Sequence, residues 1–347
     1  MLSTEVVTIN TPDENPVAVK RAGELLRAGK LVVFPTETVY GLGGSAIDAT
    51  AAEKIYAAKG RPSDNPLIIH IARPEDAECY AVTNELYYKL AKAFMPGPLT
   101  VVLPKKEIVP ASVTGGLATV AVRCPAHPVA RAIIEEAGAA IAAPSANLSG
   151  KPSPTVACHV IEDLTGRVDM IVDGGECEIG LESTIVSISG SALTLLRPGA
   201  VTVDALRCVT DSVSVFHAVA ERLAENERPL SPGMKYRHYA PDAPLVLLSG
   251  SDESVLAFLK AEQEKNGSCV ILCYDEEIPH LKPEGLLPVG KKNDLEMQAH
   301  LLFSRLRESN GLGARVIYAH LPPMDGLGFA LYNRMIRAAA HTVKEIQ

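Results

Sequence analysis

Tryptophan is absent from this chain of 347 residues, and aromatic residues of all kinds make up only 5% of it. Hydrophobic residues still account for 47%, which excludes a mostly disordered chain and leaves ample aliphatic material for packed cores. A chain of this length is long for a single core. We therefore expect two domains with aliphatic strands that helices cover on both faces.

The chain also lacks the excess of positive charge that binds nucleic acid. The formal net charge is −8, from 33 lysines and arginines against 41 aspartates and glutamates. Non-specific nucleic-acid binding depends on a basic excess, and single-stranded RNA is usually held on aromatic stacking residues as well. Strong intrinsic nucleic-acid binding is therefore not expected.

Several familiar site signatures are missing too. The seven cysteines include no C-x-x-C pair, and the close pair Cys269 and Cys273 lies on an apolar run, so reduced thiols are expected and no protein-held metal. No apolar run approaches the ~20 residues that span a bilayer, and the first residues lack a signal-peptide pattern. Neither a Walker A loop nor a nucleophile elbow occurs. We expect a soluble cytoplasmic protein that forms no covalent acyl-enzyme.

Two cations flank a glycine in the segment Lys59-Gly60-Arg61-Pro62, directly after a helical-looking run over residues 50–58. Gly60 and Pro62 interrupt that helix, so both cations are predicted to project from a loop, where a guanidinium can hold two phosphate oxygens. The alternative is that they only complement the dipole at a helix C-terminus.

Further cations and small polar groups occur near the ends of predicted strands, where α/β sheets hold ligands. Such groups suit phosphoryl or nucleotidyl transfer, in which positioning and charge contribute most of the rate. The set comprises Lys59, Arg61, Arg123, Arg197, Thr36, Thr38, Asn65, Thr119, Ser145, Asn147, Ser153 and Ser183.

Strands and helices alternate along the chain, but the strands before residue 205 are patterned as hairpins. A twisted mixed α/β sheet with helices on both sides is therefore predicted for this part. The remainder repeats a strand–helix order and predicts a smaller three-layer, Rossmann-like α/β domain that ends in a long helix over Gly328–Lys344. It has no G-x-G-x-x-G after its first strand, so no dinucleotide site is indicated.

Four segments resemble the YrdC-type threonylcarbamoyl-adenylate synthases, and a fifth resembles the linker of that family's longer, two-domain form. In chain order they are PTET-x-YGLG (35–43), KGRP (59–62), PSANLSG (144–150), LESTIV (181–186) and SPGMKYRHYAP (231–241). The resemblance implies a YrdC-like catalytic domain over residues 1–208, a linker over 209–243 that folds over the active site, and a C-terminal domain over 244–347.

The same resemblance implies a reaction. L-threonine, bicarbonate and ATP would give L-threonylcarbamoyladenylate and pyrophosphate, the first step of N6-threonylcarbamoyladenosine formation at position 37 of tRNA. Mg²⁺ would be carried with ATP, because no carboxylate cluster has metal-ligand spacing. A downstream threonylcarbamoyl transferase acting on tRNA would consume the product.

Residue roles follow from the matching motifs. Lys59 and Arg61 are implied to be catalytic. Contacts to ATP are implied for Arg61, Asn65, Thr119, Ser145, Ser153, Arg197, Tyr236 and His238. Contacts to L-threonine are implied for Thr38, His70, Arg123, Ala143 and Ser183.

Plainer interpretations stay open for several of these residues. Arg123 would then form a structural ion pair, His70 would be a satisfied core histidine, and Ser145 and Asn147 would only cap a turn. Three alternative functions also stay open: an RNA-binding module without ATP chemistry of its own, a carbamoyl-transfer or hydrolase partner that uses an adenylate made elsewhere, and a purely structural C-terminal domain.

Overall fold

The structure is a computed structural model that describes residues 2–63, 65–219, 238–265 and 268–347. The chain divides into two compact units. The described residues of the first are 2–63, 65–149, 153–178 and 182–219, and those of the second are 150–152, 179–181, 238–265 and 268–347. None of the described helices is long and apolar enough to cross a membrane.

The first unit is built on a mixed sheet, as the sequence predicts. Its strands are β1 (Glu5–Thr8), β2 (Val32–Phe34), β3 (Gly41–Ser45), β4 (Ile68–His70), β5 (Leu99–Pro104), β6 (Thr119–Arg123), β7 (Ile141–Ala142), β8 (Met170–Asp173), β9 (Thr184–Ser189), β10 (Ala192–Arg197) and β11 (Val213–Val215). In the described chain they are ordered β1-β8-β2-β3-β7-β4-β6-β5-β9-β10-β11. Both parallel and antiparallel neighbours occur, for example β4 with β6 and β5 with β6.

Helices of the first unit are α1 (Pro16–Arg27), α2 (Ala49–Lys59), α3 (Glu85–Phe94), α4 (Ala111–Thr114), α5 (Pro128–Ala137), α6 (Ala157–Leu164) and α7 (Val203–Arg207). The start of α1 shows how the sequence sets these boundaries. The side chain of Asn15 accepts a hydrogen bond from the Ala18 amide at 3.1 Å, and Pro16 occupies the first helical position. Gly23 lets α1 approach α5, because a Cβ there would lie 2.5 Å from Cβ of Glu136.

Three neighbouring strands at the centre of this sheet, β4, β6 and β5, place polar residues side by side. His70 on β4 is the register partner of Arg123 on β6, and Arg123 is in turn the partner of Thr100 on β5. Directly paired residues project to the same face of a sheet, so these three side chains form a row across it.

The second unit has an entirely parallel sheet in the order β14-β13-β15-β12-β16. Its strands are β12 (Leu245–Ser249), β13 (Cys269–Cys273), β14 (Leu286–Pro288), β15 (Val316–His320) and β16 (Val343–Glu345). Its helices are α8 (Asp252–Lys265), α9 (Leu295–Gly311) and α10 (Gly328–Ala338).

The predicted C-terminal helix over Gly328–Lys344 is too long. The structure ends α10 at Ala338, and Ala340 and His341 then adopt positive φ angles of 49° and 65°. This left-handed backbone cannot continue a right-handed helix. The chain instead adds β16 beside β12.

Candidate active site

The polar row on β4, β6 and β5 continues onto the loop that precedes β9. The hydroxyls of Thr100 and Ser183 lie 2.7 Å apart, and both are buried. Arg197, at the end of β10, donates from Nε to the Ser183 carbonyl at 3.0 Å and from Nη2 to its hydroxyl at 3.1 Å. The structure therefore brings together His70, Arg123, Ser183 and Arg197, four of the residues predicted from the sequence.

Arg123 forms a buried ion pair that the sequence analysis did not assign. Its Nη2 lies 2.8 Å from Oε1 of Glu37, and the two side chains are only 5% and 7% exposed. The second carboxylate oxygen of Glu37 accepts from the Ala126 amide at 3.1 Å, and Nε of Arg123 donates to the Gly97 carbonyl at 3.4 Å. Glu37 therefore fixes the orientation of the guanidinium, and the structural ion pair considered for Arg123 exists.

The turn containing Glu37 is organised by the hydroxyl of Thr36. This hydroxyl accepts from the amides of Thr38 and Val39, both at 3.2 Å, and donates to the Val39 carbonyl at 2.6 Å. The hydroxyl of Thr36 also lies 2.9 Å from the hydroxyl of Thr38, and either oxygen can be the donor in that contact. The Thr38 side chain is fully buried beside this turn.

The expectation that Lys59 projects from a loop is wrong. Lys59 is the last residue of α2, it is 4% exposed, and Gly60 follows with a φ of 62°. Its Nζ donates to the carbonyl of Asn147 at 2.6 Å and to the carbonyl of Ser145. Lys59 thus ties the end of α2 to the turn at residues 144–150.

Arg61 lies beyond the end of α2, in the loop that leads to β4. Its Nη2 donates to the carbonyls of Asn65 and Pro66 at 3.3 and 3.2 Å, and the guanidinium lies 5.9 Å from the centroid of the Tyr56 ring. The side chain is half-buried. These contacts hold one edge of the guanidinium in place.

Two buried side chains near β4 have polar atoms without a partner. Neither the nitrogen nor the oxygen of the Asn65 amide makes a hydrogen bond within the described residues, and the same holds for Nδ1 of His70. Burial lowers the pKa of His70 from 6.5 to about 3, and the positive charge of Arg123 lowers it further in the same direction. Because an unsatisfied buried polar group costs about 1–3 kcal/mol, such groups indicate a place that a ligand completes. His70 is therefore not the satisfied core histidine of the plainer interpretation.

The turn at residues 144–150 carries its own hydrogen bonds. The Ser145 hydroxyl and the side-chain oxygen of Asn147 are 2.5 Å apart, and the Asn147 amide donates to the Leu148 carbonyl at 2.9 Å. Ala143, just before the turn, bonds through its amide to the Ile68 carbonyl at 2.9 Å. Capping of this turn is therefore real, and a ligand contact by Ser145 stays a prediction.

The remaining assigned residues lie at separate points. Ser153 donates to Oε1 of the buried Glu182 at 2.5 Å. Thr119 begins β6, whereas Arg123 ends it, so their Cα atoms are about 13 Å apart on one face of the strand.

His238 belongs to the second unit, where its ring lies 5.6 Å from that of Tyr239, and Tyr236 lies outside the described residues.

Sequence reasoning missed two buried carboxylates of the site, Glu37 and Glu182. Both stand directly before a predicted threonine contact, in Glu37-Thr38 and Glu182-Ser183. A carboxylate inside an otherwise apolar or hydroxyl-rich motif is the signal that could have identified them, because a buried charge requires a partner.

No group of three potential metal ligands occurs in the part of the chain that the structure describes. The site consists instead of cations, hydroxyls, an amide and a neutral imidazole. Such a set can bind and orient anionic and zwitterionic reactants and stabilise charge that develops between them. The fold and the site together define an α/β enzyme of the nucleotidyltransferase type.

Comparisons with known proteins agree with that class. Residues 24–199 match the family model Sua5_yciO_yrdC, described as "Telomere recombination", and residues 201–340 match the model described as "Threonylcarbamoyl-AMP synthase, C-terminal domain". The threonylcarbamoyl-AMP synthase of Bacillus subtilis is 43% identical over 342 residues, which cover 98% of this chain and 96% of the relative. The chain belongs to the threonylcarbamoyl-AMP synthase family.

Solved structures show the same relationship. Pyrococcus abyssi Sua5 complexed with L-threonine is 41% identical, with a TM-score of 0.90 and 99% of each chain covered. Escherichia coli YciO, at 22% identity and a TM-score of 0.50, covers 57% of this chain and shares the fold. The curated relatives at 43% identity are named threonylcarbamoyl-AMP synthases, and the RNA-binding alternative finds no support among them.

Proposed function

We propose that the chain forms L-threonylcarbamoyl-AMP from L-threonine, bicarbonate and ATP, with release of pyrophosphate. The observation that carries the proposal is the pair of buried, unsatisfied groups at Asn65 and His70, which flank β4 beside a row of charged and hydroxyl groups. In a chain of this family, these groups are suited to the two organic reactants.

We assign the threonine subsite to the end of β4 and β6 at which His70 and Arg123 lie. The Glu37 carboxylate and the Gly97 carbonyl occupy Nη2 and Nε of Arg123, while Nη1 makes no hydrogen bond within the described chain. The outer end of the guanidinium would therefore receive the threonine carboxylate. The hydroxyl of Thr38 would form a hydrogen bond with the ammonium or hydroxyl group of threonine, and Ser183 would complete the subsite.

The nucleotide subsite is assigned to the opposite end of the same strands. Asn65 precedes β4 and Thr119 begins β6, and these two strands are parallel. Because β7 runs antiparallel to β4, Ser145 lies toward this end as well, and Ala143 lies between the two ends. A span of about 13 Å along β6 accommodates an amino acid joined to a nucleotide phosphate.

Further ATP contacts are proposed for residues that do not lie on or next to β4, β6 and β7. Ser153, held by Glu182, would meet the nucleotide. Arg197 lies at the Arg123 end, so it would reach ATP only if the phosphates extend toward Ser183. For Tyr236 and His238, contact with ATP is proposed from the family resemblance alone.

The chemistry needs no nucleophile from the protein. The neutral amine of threonine attacks bicarbonate, with loss of water, or CO2, with loss of a proton, and gives a carbamate. A carbamate oxygen then displaces pyrophosphate from the α-phosphate of ATP. Lys59 and Arg61 would lie where negative charge grows in the second step. Mg²⁺ would enter with ATP and neutralise phosphate charge. His70, neutral because burial holds its pKa near 3, would orient threonine without adding a charge.

The product is a mixed carbamic–phosphoric anhydride that water destroys, so an enzyme that transfers the threonylcarbamoyl group to tRNA would have to consume it. We place the reaction in the cytoplasm, where tRNA and ATP meet.

The test is a pyrophosphate-release assay with the full chain, with each substrate omitted in turn. Release that requires L-threonine, bicarbonate and ATP together supports the proposal and excludes a partner that uses an adenylate made elsewhere. Release with ATP alone, or none with all three, would contradict it.

A further inference from the structure

A cavity of about 410 Å³ lies within the second unit. It opens where β12, β13 and β15 end, and residues that follow each of these strands line it, among them Gly250, Tyr274 and Leu321. The chain runs from β12 to β13 and β14 on one side of the sheet, then returns through β15 and crosses to β16. Open parallel sheets bind ligands at the carboxyl ends of strands near such a reversal. No residue of this cavity has a part in the proposed reaction.

The wall of the cavity holds a histidine whose ring is fixed on two sides. Nε2 of His320 lies 2.8 Å from Oε1 of Glu277, and the ring stacks on Tyr274 with centroids 4.5 Å apart and planes at 24°. The other carboxylate oxygen of Glu277 accepts from the Tyr274 amide at 2.8 Å. The carboxylate can only accept, so Nε2 must donate to it.

The second ring nitrogen of His320, Nδ1, is an acceptor whenever the ring is neutral. In the neutral ring, donation from Nε2 leaves a lone pair on Nδ1. That atom makes no hydrogen bond within the described chain, and it is not among the atoms sealed from solvent. Since His320 lines the cavity, the ring offers a lone pair to an occupant that can donate a hydrogen bond.

The rim of the cavity carries one charge of each sign. Nζ of Lys292 lies 2.5 Å from a carboxylate oxygen of Asp252, and the two side chains are 47% and 67% exposed. Asp252 and Glu253 occupy the first turn of α8, where their negative charges offset the positive N-terminal end of the helix dipole. A polyphosphate is disfavoured, while a molecule that carries both an ammonium and a carboxylate group matches the rim.

We propose that this cavity binds a free amino acid. The ammonium group donates to Nδ1 of His320 and pairs with Asp252, and the carboxylate pairs with Lys292. The amino-acid side chain occupies the apolar part of the cavity, formed by Leu248, Leu295 and Pro323. Exposed ion pairs contribute little by themselves, so exchanging the pair between Lys292 and Asp252 for two ligand contacts costs little.

The experiment is isothermal titration of the full chain with each proteinogenic amino acid other than L-threonine, which the proposed active site would also take. We expect at least one to bind with a Kd of about 1 mM or tighter. Lys292→Ala should weaken that binding at least tenfold. Lys265→Ala, which removes an exposed lysine of the same unit that faces Glu262 at 3.9 Å, is the matched control and should leave it unchanged.

A second variant tests the histidine itself. In Glu277→Gln the side-chain oxygen must still accept from the Tyr274 amide, so the new NH₂ group faces Nε2 of His320 and forces that atom to accept. Nδ1 then carries the proton and meets an ammonium group as donor against donor. We expect nitrogen NMR of the imidazole to show the exchanged tautomer and amino-acid binding to be lost. The proposal is overturned if no amino acid binds by about 10 mM, or if binding persists unchanged in both Lys292→Ala and Glu277→Gln.

Discussion

The two units arrange their polar groups differently because their strands run differently. In the first, strand directions are mixed, and polar residues stand at both ends of one strand: Asn65 precedes β4 and His70 ends it. In the second, all strands are parallel and the cavity opens only at their carboxyl ends. In this protein the mixed sheet therefore presents polar groups at both ends of a strand, whereas the parallel sheet lines its cavity from one edge only.

The ion pairs at the two sites also differ in how deeply their side chains are buried. At the candidate active site of the first unit, the ion pair of Arg123 and Glu37 is buried, with side chains 5% and 7% exposed. The pair of Lys292 and Asp252 in the second is about half exposed. A buried ion pair fixes the geometry of its side chains, and removing one partner leaves an uncompensated buried charge that destabilises the fold. An exposed ion pair exchanges partners at little cost in free energy. Variants should therefore affect the first unit more strongly.

The largest effect is expected from the cations beside the proposed α-phosphate. Arg61→Ala should lower kcat by about 100-fold or more, as loss of a preorganised donor does. Lys59→Met should lower it as much and also lower the melting temperature, because the Ser145 and Asn147 carbonyls lose their buried donor. Steady-state kinetics and calorimetry check this. Full activity in a folded Arg61→Ala protein would remove Arg61 from the mechanism.

The next effect concerns the linker, which the family resemblance predicts to fold over the nucleotide site. Most of the segment over 231–241 lies outside the described residues. A first unit cut at residue 219 keeps β11, which pairs with β10, so it should fold. We expect it to release pyrophosphate at least about tenfold more slowly than the full chain, because a closed lid excludes water and orders the reactants. Equal threonine-dependent rates would mean that the linker is only a tether.

A smaller effect is expected at Glu37, which positions Arg123. Glu37→Gln keeps the shape but removes the charge that orients the guanidinium, so KM for threonine should rise about tenfold while KM for ATP changes little. Glu85→Gln, which breaks the exposed pair with Lys89, is the control and should change neither constant. Equal increases in both KM values would show that Glu37 only supports the fold.

How far the sequence predicts this site depends on the range of each interaction. The motifs locate the turns at residues 35–40 and 144–150 correctly, since proline and hydroxyl residues mark turns locally, but residues 41–43 of the first motif belong to β3. The pairing of Arg123 with Glu37 spans 86 positions and depends on how distant strands are ordered in the sheet, which no local pattern records. The burial of Lys59 against Asn147, 88 positions away, was missed for the same reason.

The second unit shows the same limit in its backbone. The helical pattern that begins at Gly328 has neither glycine nor proline near its observed end, so the sequence predicts that it continues to Lys344. The structure ends it at Ala338 because β16 adds to the edge of the sheet. That pairing is a tertiary interaction and overrides helix propensity.

The smallest expected effect is a dependence of stability on pH that arises from His70. Burial and Arg123 hold its folded-state pKa near 3, below the ordinary value of 6.5, so between these values the unfolded chain binds more protons than the folded one. This contribution to stability is full above about pH 6.5 and declines as the pH falls toward 3. His70→Asn, whose amide reaches the position of Nδ1 without titrating there, should lose less stability on acidification than the native chain. Denaturant titrations of both proteins at pH 7 and pH 5 measure the difference, and parallel losses would mean that His70 is protonated in the folded state.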